Sequence, residues 1–199
     1  MSLLLFYIRH GETEWSLTHR HTGRTDISLT GHGENQASQL GKKLVNVRFN
    51  QIFTSPSQRA QRTCALVGAT TPAAISEDLA EWNYGDYEGR CTVDIRKERP
   101  SWNIFQDGCP GGETSADISA RADLMITRLL NLSGKVALFS HGQFGRVLAA
   151  RWIGLPAAEG QHLALDPASI SILGFELNYP QRRVISLWNA APANLPHSA

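Results

Sequence analysis

Arg9 and His10 stand side by side behind the apolar run Leu3-Leu4-Leu5-Phe6-Tyr7-Ile8, with Gly11 after them. Arg59 lies shortly after Ser55-Pro56, and His141 sits between Ser140 and Gly142, directly behind the run Lys135 to Phe139. Two arginines and two histidines suit phosphoryl transfer. That chemistry needs the charge on the equatorial oxygens neutralised and a nucleophile in line with the leaving oxygen. Guanidinium forks hold phosphate oxygens in pairs, while one imidazole attacks and the other donates a hydrogen bond. Guanidinium charge nearby also lowers a histidine's pKa, which keeps the attacking ring neutral near pH 7.

Such residues must be delivered to one place by the fold. Residues 3 to 8 predict a strand buried on both faces. Gln51 to Thr54 predicts a second, running into Ser55 as a helix cap and Pro56 as its first turn, with Ala60, Cys64 and Val67 facing inward. Lys135 to Phe139 predicts a third, followed by a helix carrying Phe144, Val147, Leu148, Ala150 and Ile153. Thr30 opens a helix with Ala37, Leu40, Leu44 and Val47 on its apolar stripe. Thr114 and Asp117 open another with Ile118, Ala122, Met125 and Leu129, stopped near Gly134. Residues 169–176 and 182–188 read as a pair of strands. Alternating strands and helices imply an α/β fold in three layers, a mostly parallel central sheet flanked by helices. One domain spans 1–189, and a Pro/Ala-rich stretch over 190–199 reads as a loose tail. In such sheets ligands gather beyond the carboxyl ends of strands, where Arg9, His10, Arg59 and His141 all fall.

Composition narrows the partners. With 19 basic and 18 acidic residues in 199, the net charge of +1 gives no global field toward nucleic acid or an anionic membrane, so affinity for anions must be local. The apolar start is too short for a signal-peptide core or a membrane span. Cys64, Cys91 and Cys109 are odd in number and lack a CxxC spacing, which points to a reducing cytoplasm.

The segment Arg9-His10-Gly11-Glu12-Thr13 resembles the signature of the histidine phosphatase superfamily, which includes the phosphoglycerate mutases. Thr22-Gly23, Asp26 and Leu29-Thr30, then Thr54-Ser55-Pro56 through Arg59-Ala60, then Ser140-His141-Gly142 resemble its later motifs in order. The resemblance implies a phosphoglycerate mutase-like fold and a phosphomonoester hydrolase acting through a phosphohistidine. His10 is then the nucleophile, Arg9, Arg59 and His141 the phosphate pocket, and Glu81 the proton donor to the leaving oxygen. A carboxyl beside a bound phosphate dianion also suits that role physically. Glu88 and Glu113, near similar Gly-containing turns, are the rivals. Thr22, Gly23 and Tyr84 match substrate-contacting positions. Ser16 replaces an asparagine that touches phosphate in many members and has a shorter reach. Gly142 and Gln143 open a substrate-facing segment, Gly142 to Arg146, that departs from the family's usual sequence. Residues 82–89 and 99–109 resemble the fungal sedoheptulose-1,7-bisphosphatase branch, which implies a small sugar phosphate or bisphosphate. No cofactor or metal is implied, because the arginines take the charge-neutralising role, and activity is expected to survive EDTA.

Other readings compete. A phosphoglycerate mutase would carry Glu-Arg-His-Tyr-Gly where this chain has Glu81-Trp82-Asn83-Tyr84-Gly85, and a binding module would need neither His10 nor Glu81. His19-Arg20-His21 reads as a polar rim rather than a metal pair, since Arg20 and Arg24 repel a cation. Gly31-His32-Gly33 reads as a helix entry, and Trp82, Tyr84, Tyr87 and Trp102 as core or pocket wall. The oligomeric state, monomer or homodimer, stays open.

Overall fold

The structure, a computed structural model, describes residues 2–194. Its centre is one six-stranded sheet: β1 (Leu4–Arg9), β2 (Gln51–Thr54), β3 (Ala73–Ile75), β4 (Lys135–Ser140), β5 (Ile170–Glu176) and β6 (Tyr179–Ala190), in the order β3-β2-β4-β1-β5-β6. The first four of these in space run parallel. β5 is antiparallel to β1 and forms a hairpin with β6. The mostly parallel sheet expected from the alternating pattern is therefore present, with a mixed edge.

Side-chain alternation explains the layers. Leu5, Tyr7, Val136 and Leu138 point to one face, where they pack with α6 (Ser115–Leu129) and α7 (Gly142–Trp152). Phe6, Ile8, Ala137 and Phe139 point to the other, against α2 (Gly31–Leu44) and α3 (Gln58–Val67). Apolar residues on both faces are what helices on both sides demand. Thr30 and Thr114 cap α2 and α6 as their sequences indicated; the second forms a full capping box with Asp117. Gly31-His32-Gly33 is the start of α2. A side chain at Gly33 would lie 2.2 Å from the Glu12 carbonyl oxygen, and one at Gly11 would lie 2.4 Å from that of Gly33. Glycine is required at both because two backbones touch behind the His10 loop.

Four readings need adjustment. The helix after β2 starts at Gln58 with Ser57 as N-cap, so Ser55 is not its cap. Strand β3, three exposed residues without an alternating pattern, had no sequence signal. β6 reaches from Tyr179 to Ala190, longer than 182–188, with register shifts against β5. Hence 190–199 is not wholly loose: Ala190 ends β6, Pro192–Asn194 form a short 3-10 turn, and residues 195–199 lie outside the described residues.

Between β3 and α6 the chain forms a compact lobe with α4 (Thr92–Glu98), α5 (Ile104–Asp107) and two 3-10 turns. The short α1 (Glu14–Leu17) follows the His10 loop. Trp82, Tyr84, Tyr87 and Trp102 are buried in this lobe, as core and wall. Tyr87 and Trp102 meet edge-on at 5.2 Å, as do Trp82 and Phe105 at 5.8 Å.

Candidate active site

The register of three parallel strands places the site. Arg9 pairs with Ser140, and Thr54 with Phe139, so His10, Ser55 and His141 leave the sheet side by side. Their exits are tied together: the His10 N–H donates to the Ser140 carbonyl at 3.0 Å, and the Ser55 N–H to the Phe139 carbonyl at 2.9 Å. The imidazoles of His10 and His141 lie 5.2 Å apart, edge to face. Both are buried.

Hydrogen bonds distinguish the two rings. His10 Nδ1 lies 2.7 Å from the Gly11 carbonyl oxygen, which only a protonated nitrogen can face, so the lone pair is on Nε2. Burial, then the charges of Arg59 and Arg9, hold the ring well below the usual imidazole range, so it stays neutral with a lone pair available. His141 Nε2 lies 2.7 Å from Ser55 Oγ, and its Nδ1 is buried with no partner. Ser57 Oγ also lies 3.3 Å from Nε2, so the two serines occupy that nitrogen and Nδ1 is the one left for a ligand. Its backbone is clamped by Tyr7, whose hydroxyl donates to the His141 carbonyl at 2.7 Å and accepts from its N–H at 3.1 Å.

The two arginines are anchored but unfilled. Arg59 is fully buried, with Nη1 donating to the Thr25 carbonyl at 3.0 Å and Nη2 to the Thr22 and Gly23 carbonyls at 3.1 and 3.0 Å. Arg9 donates from Nη1 to the Leu165 carbonyl. The Nε of each is buried without a partner. Neither forms an ion pair among the described residues. Two unsatisfied buried guanidinium donors, on Arg9 and Arg59, and the unpartnered Nδ1 of His141, beside a lone-pair nitrogen on His10, describe a site for a tetrahedral oxyanion. Arg9, His10 and Glu81 line one cleft of about 250 Å³ with Ser16, Thr22, Tyr84, Gly142 and Gln143.

A family profile described as histidine phosphatase superfamily (branch 1) matches residues 5–190. The chain belongs to this superfamily. An acid phosphatase of Mycobacterium tuberculosis is 41% identical over 187 residues, covering 92% of each chain. The sedoheptulose 1,7-bisphosphatase of Saccharomyces cerevisiae is 39% identical over 183 residues, 74% of this chain and 66% of that one. A solved Mycobacterium tuberculosis structure superposes with a TM-score of 0.90 at 38% identity, covering 96% of this chain and all of that one. Among histidine phosphatases of this fold, the chain is a phosphatase in the chemical sense: a hydrolase of phosphate esters.

Within this histidine phosphatase the remaining expected residues divide. Glu81 lines the cleft, and its carboxylate accepts from the N–H groups of Trp82, Gln143 and Phe144 at 2.8–2.9 Å, which fixes it at the start of α7. Its rivals are occupied elsewhere. Glu88 accepts from the Gly23 and Thr25 N–H groups, and Glu113 pairs with Arg121 at 2.8 Å. Tyr84 forms the cleft wall, stacked on His21 at 4.6 Å. Gln143 accepts from Arg146 through Oε1, leaving its amide N–H₂ for the cleft. Gly142 lets α7 start against Arg9, whose guanidinium carbon lies 3.2 Å from where a side chain would sit.

Three positions differ in how they can serve. Ser16 Oγ donates to the Thr13 carbonyl and accepts from the Thr13 N–H, both at 2.8 Å, so it closes a turn of α1. The Gly23 N–H is taken by Glu88; only its carbonyl acts, on Arg59. Thr22 lines the cleft, with its hydroxyl donating to the Arg20 carbonyl at 3.1 Å.

Sequence reasoning missed Ser55 as the partner of His141 and Tyr7 as its clamp, whereas Arg146, the end of the segment read as substrate-facing, does line the cleft. Tyr7 sits in a run read only as apolar, and Ser55 was read as a cap. His19, Arg20 and His21 do rim the cleft, and no group of three or more His, Cys, Asp or Glu gathers among the described residues.

Proposed function

We propose that the chain hydrolyses a small phosphomonoester in two steps, with His10 as nucleophile. The neutral Nε2 of His10 attacks phosphorus, and the bond from phosphorus to the ester oxygen breaks. Arg9, Arg59 and His141 Nδ1–H hold the three equatorial oxygens. Glu81 gives its proton to the departing oxygen. Water then attacks the phosphohistidine, returns a proton to Glu81, and releases inorganic phosphate and His10.

The observation that carries this reading is the pairing of a tautomer-fixed His10 with two unfilled buried guanidinium donors and the unpartnered Nδ1 of His141. The cleft, about 250 Å³, is slightly smaller than most ligand pockets and suits a small metabolite. The yeast relative's name supports a sugar phosphate as its class. Water reaches the site through a rim where His19 and Arg20 are exposed, which favours hydrolysis over return of the phosphoryl group to an isomeric hydroxyl. Three free cysteines fit a cytoplasmic setting, and no helix among the described residues is long and apolar enough to cross a membrane.

The test is a rapid quench during turnover of p-nitrophenyl phosphate, followed by mass spectrometry under conditions that preserve phosphoramidates. A phosphate on His10 is expected, with turnover in His10→Ala reduced by at least about 10³-fold. Undiminished turnover in that variant overturns the reading.

A further inference from the structure

We infer that Asn189, the penultimate residue of β6 and no part of the cleft lining, is a positioning residue for Arg9: it holds one edge of the peptide unit between Leu165 and Asp166, and the other edge holds the guanidinium. This rests on the phosphohydrolase reading above, in which Arg9 grips the transferred phosphoryl group.

Arg9 and His10 leave β1 between two neighbours. One is β4; the other is the segment 163–169 that leads into β5. This segment touches both residues. The Arg9 N–H donates to the Ser169 carbonyl at 3.1 Å, the Ala168 N–H to the His10 carbonyl at 2.9 Å, and Arg9 Nη1 to the Leu165 carbonyl. Among the described residues no carboxylate forms an ion pair with Arg9, and its Nε has no partner, so the Leu165 carbonyl is what aims its guanidinium.

Residues 163–169 belong to no helix or strand, so that carbonyl needs support from elsewhere. The end of β6 supplies it. The Asp166 N–H donates to Asn189 Oδ1 at 2.7 Å, and Asn189 Nδ2 donates to Asp166 Oδ2 at 2.9 Å. These partners fix the amide's orientation, because a backbone N–H needs its oxygen and a carboxylate needs its N–H₂. Trp188 Nε1 donates to the Ala164 carbonyl at 2.5 Å. The Leu165 carbonyl and the Asp166 N–H belong to one planar trans unit and point opposite ways. The chain from Asn189 Oδ1 through this unit to Arg9 Nη1 is therefore rigid at its centre, and each of its two hydrogen bonds polarises the other. Asn189 is itself held in place. Its φ of 54° is a left-handed conformation that Asn tolerates better than most residues, and its N–H donates to Ser171 Oγ at 3.0 Å.

The test is a double-mutant cycle in the full chain. Asn189→Gly removes the side chain and suits the left-handed backbone. Its kcat/KM for p-nitrophenyl phosphate is expected to fall about 10-fold, and inorganic phosphate should bind His10→Ala about 10-fold more weakly once Asn189→Gly is added, by titration calorimetry. In Arg9→Met, which has no guanidinium to aim, Asn189→Gly should change kcat/KM by about 2-fold or less, whereas a structural role alone would cost both backgrounds equally. Asn189→Asp sets two carboxylates together and should lose about 5-fold or more; combined with Asp166→Asn it rebuilds both hydrogen bonds with the groups reversed, and should return to within about 3-fold of the parent. An Asn189→Gly effect as large in Arg9→Met as in the parent, or parental kcat/KM and phosphate binding in both Asn189→Gly and Asn189→Asp, overturns the inference. The phosphohydrolase reading fails separately, through an absent phosphohistidine while phosphate binding still depends on Asn189.

Discussion

Arg59 and Arg121 are both held by backbone carbonyls, yet they reach opposite electrostatic ends. Arg121 binds Glu113 through Nε and Nη2 at 2.9 and 2.8 Å and also donates to the carbonyls of Asp78, Ala80 and Glu81, over the face of Phe144. Its charge is answered within the fold. Arg59 meets only carbonyls, leaves Nε unsatisfied and has no carboxylate. Its charge has no ion-pair partner among the described residues. The contrast separates an arginine whose charge is paired within the fold from one we propose for the substrate phosphate: the unfilled donor and the missing ion pair differ, whereas burial alone describes both.

Breaking this contrast at Arg59 should give the larger effect. Arg59→Lys keeps a positive charge but loses the planar fork, and kcat/KM for p-nitrophenyl phosphate is expected to fall about 10²–10³-fold. Thermal melts sharpen the point. Inorganic phosphate should raise the melting temperature of the parent protein, since it binds only the folded form, and do so far less in Arg59→Lys. A variant with parental kcat/KM would place Arg59 beside Arg121 as scaffold.

Arg121→Met should act on stability instead. Arg121 and Glu113 are 16% and 19% exposed, so removal of one strands the other; a loss of about 2–4 kcal/mol in urea unfolding is expected. Adding Glu113→Gln should recover part of it. A drop in kcat/KM of the folded protein as large as that of Arg59→Lys would erase the distinction, because Arg121 also holds the Glu81 carbonyl.

The two arginines also mark what sequence could and could not disclose. Arg59 was legible because it follows a strand and a Ser-Pro turn in a repeated strand–turn–helix pattern, and the parallel sheet around it follows from runs such as Leu3 to Ile8 and Lys135 to Phe139. Arg121 lies on α6 with no local signal; its partner Glu113 is eight residues away, and the carbonyls it holds are about forty. Ser55 was visible but misassigned, since its hydroxyl satisfies an imidazole 86 residues onward rather than the adjacent helix. Strand β3 escaped because its three residues are exposed and pair only at an edge. Local patterns report elements; contacts that cross the chain carry no periodicity to read.

The smallest effect concerns protons and separates the histidines by their neighbours. His10 and His141 are held well below the usual imidazole range first by burial and next by Arg59, whereas burial alone takes His21 down to about 4. The unfolded chain binds protons as pH falls through about 6.5 while these folded rings stay neutral, so folding stability must decline below that pH. The slope is about 1.4 kcal/mol per pH unit for each ring, and for His21 the window closes near pH 4. His21→Gln should remove one ring's share of that slope in urea unfolding between pH 6 and pH 5. Arg59→Gln should raise the His10 pKa, read by NMR titration of its ring protons, while leaving His21 where it is. Equal shifts at both rings would mean that Arg59 acts by loosening the cleft and admitting water, and not through its unanswered charge.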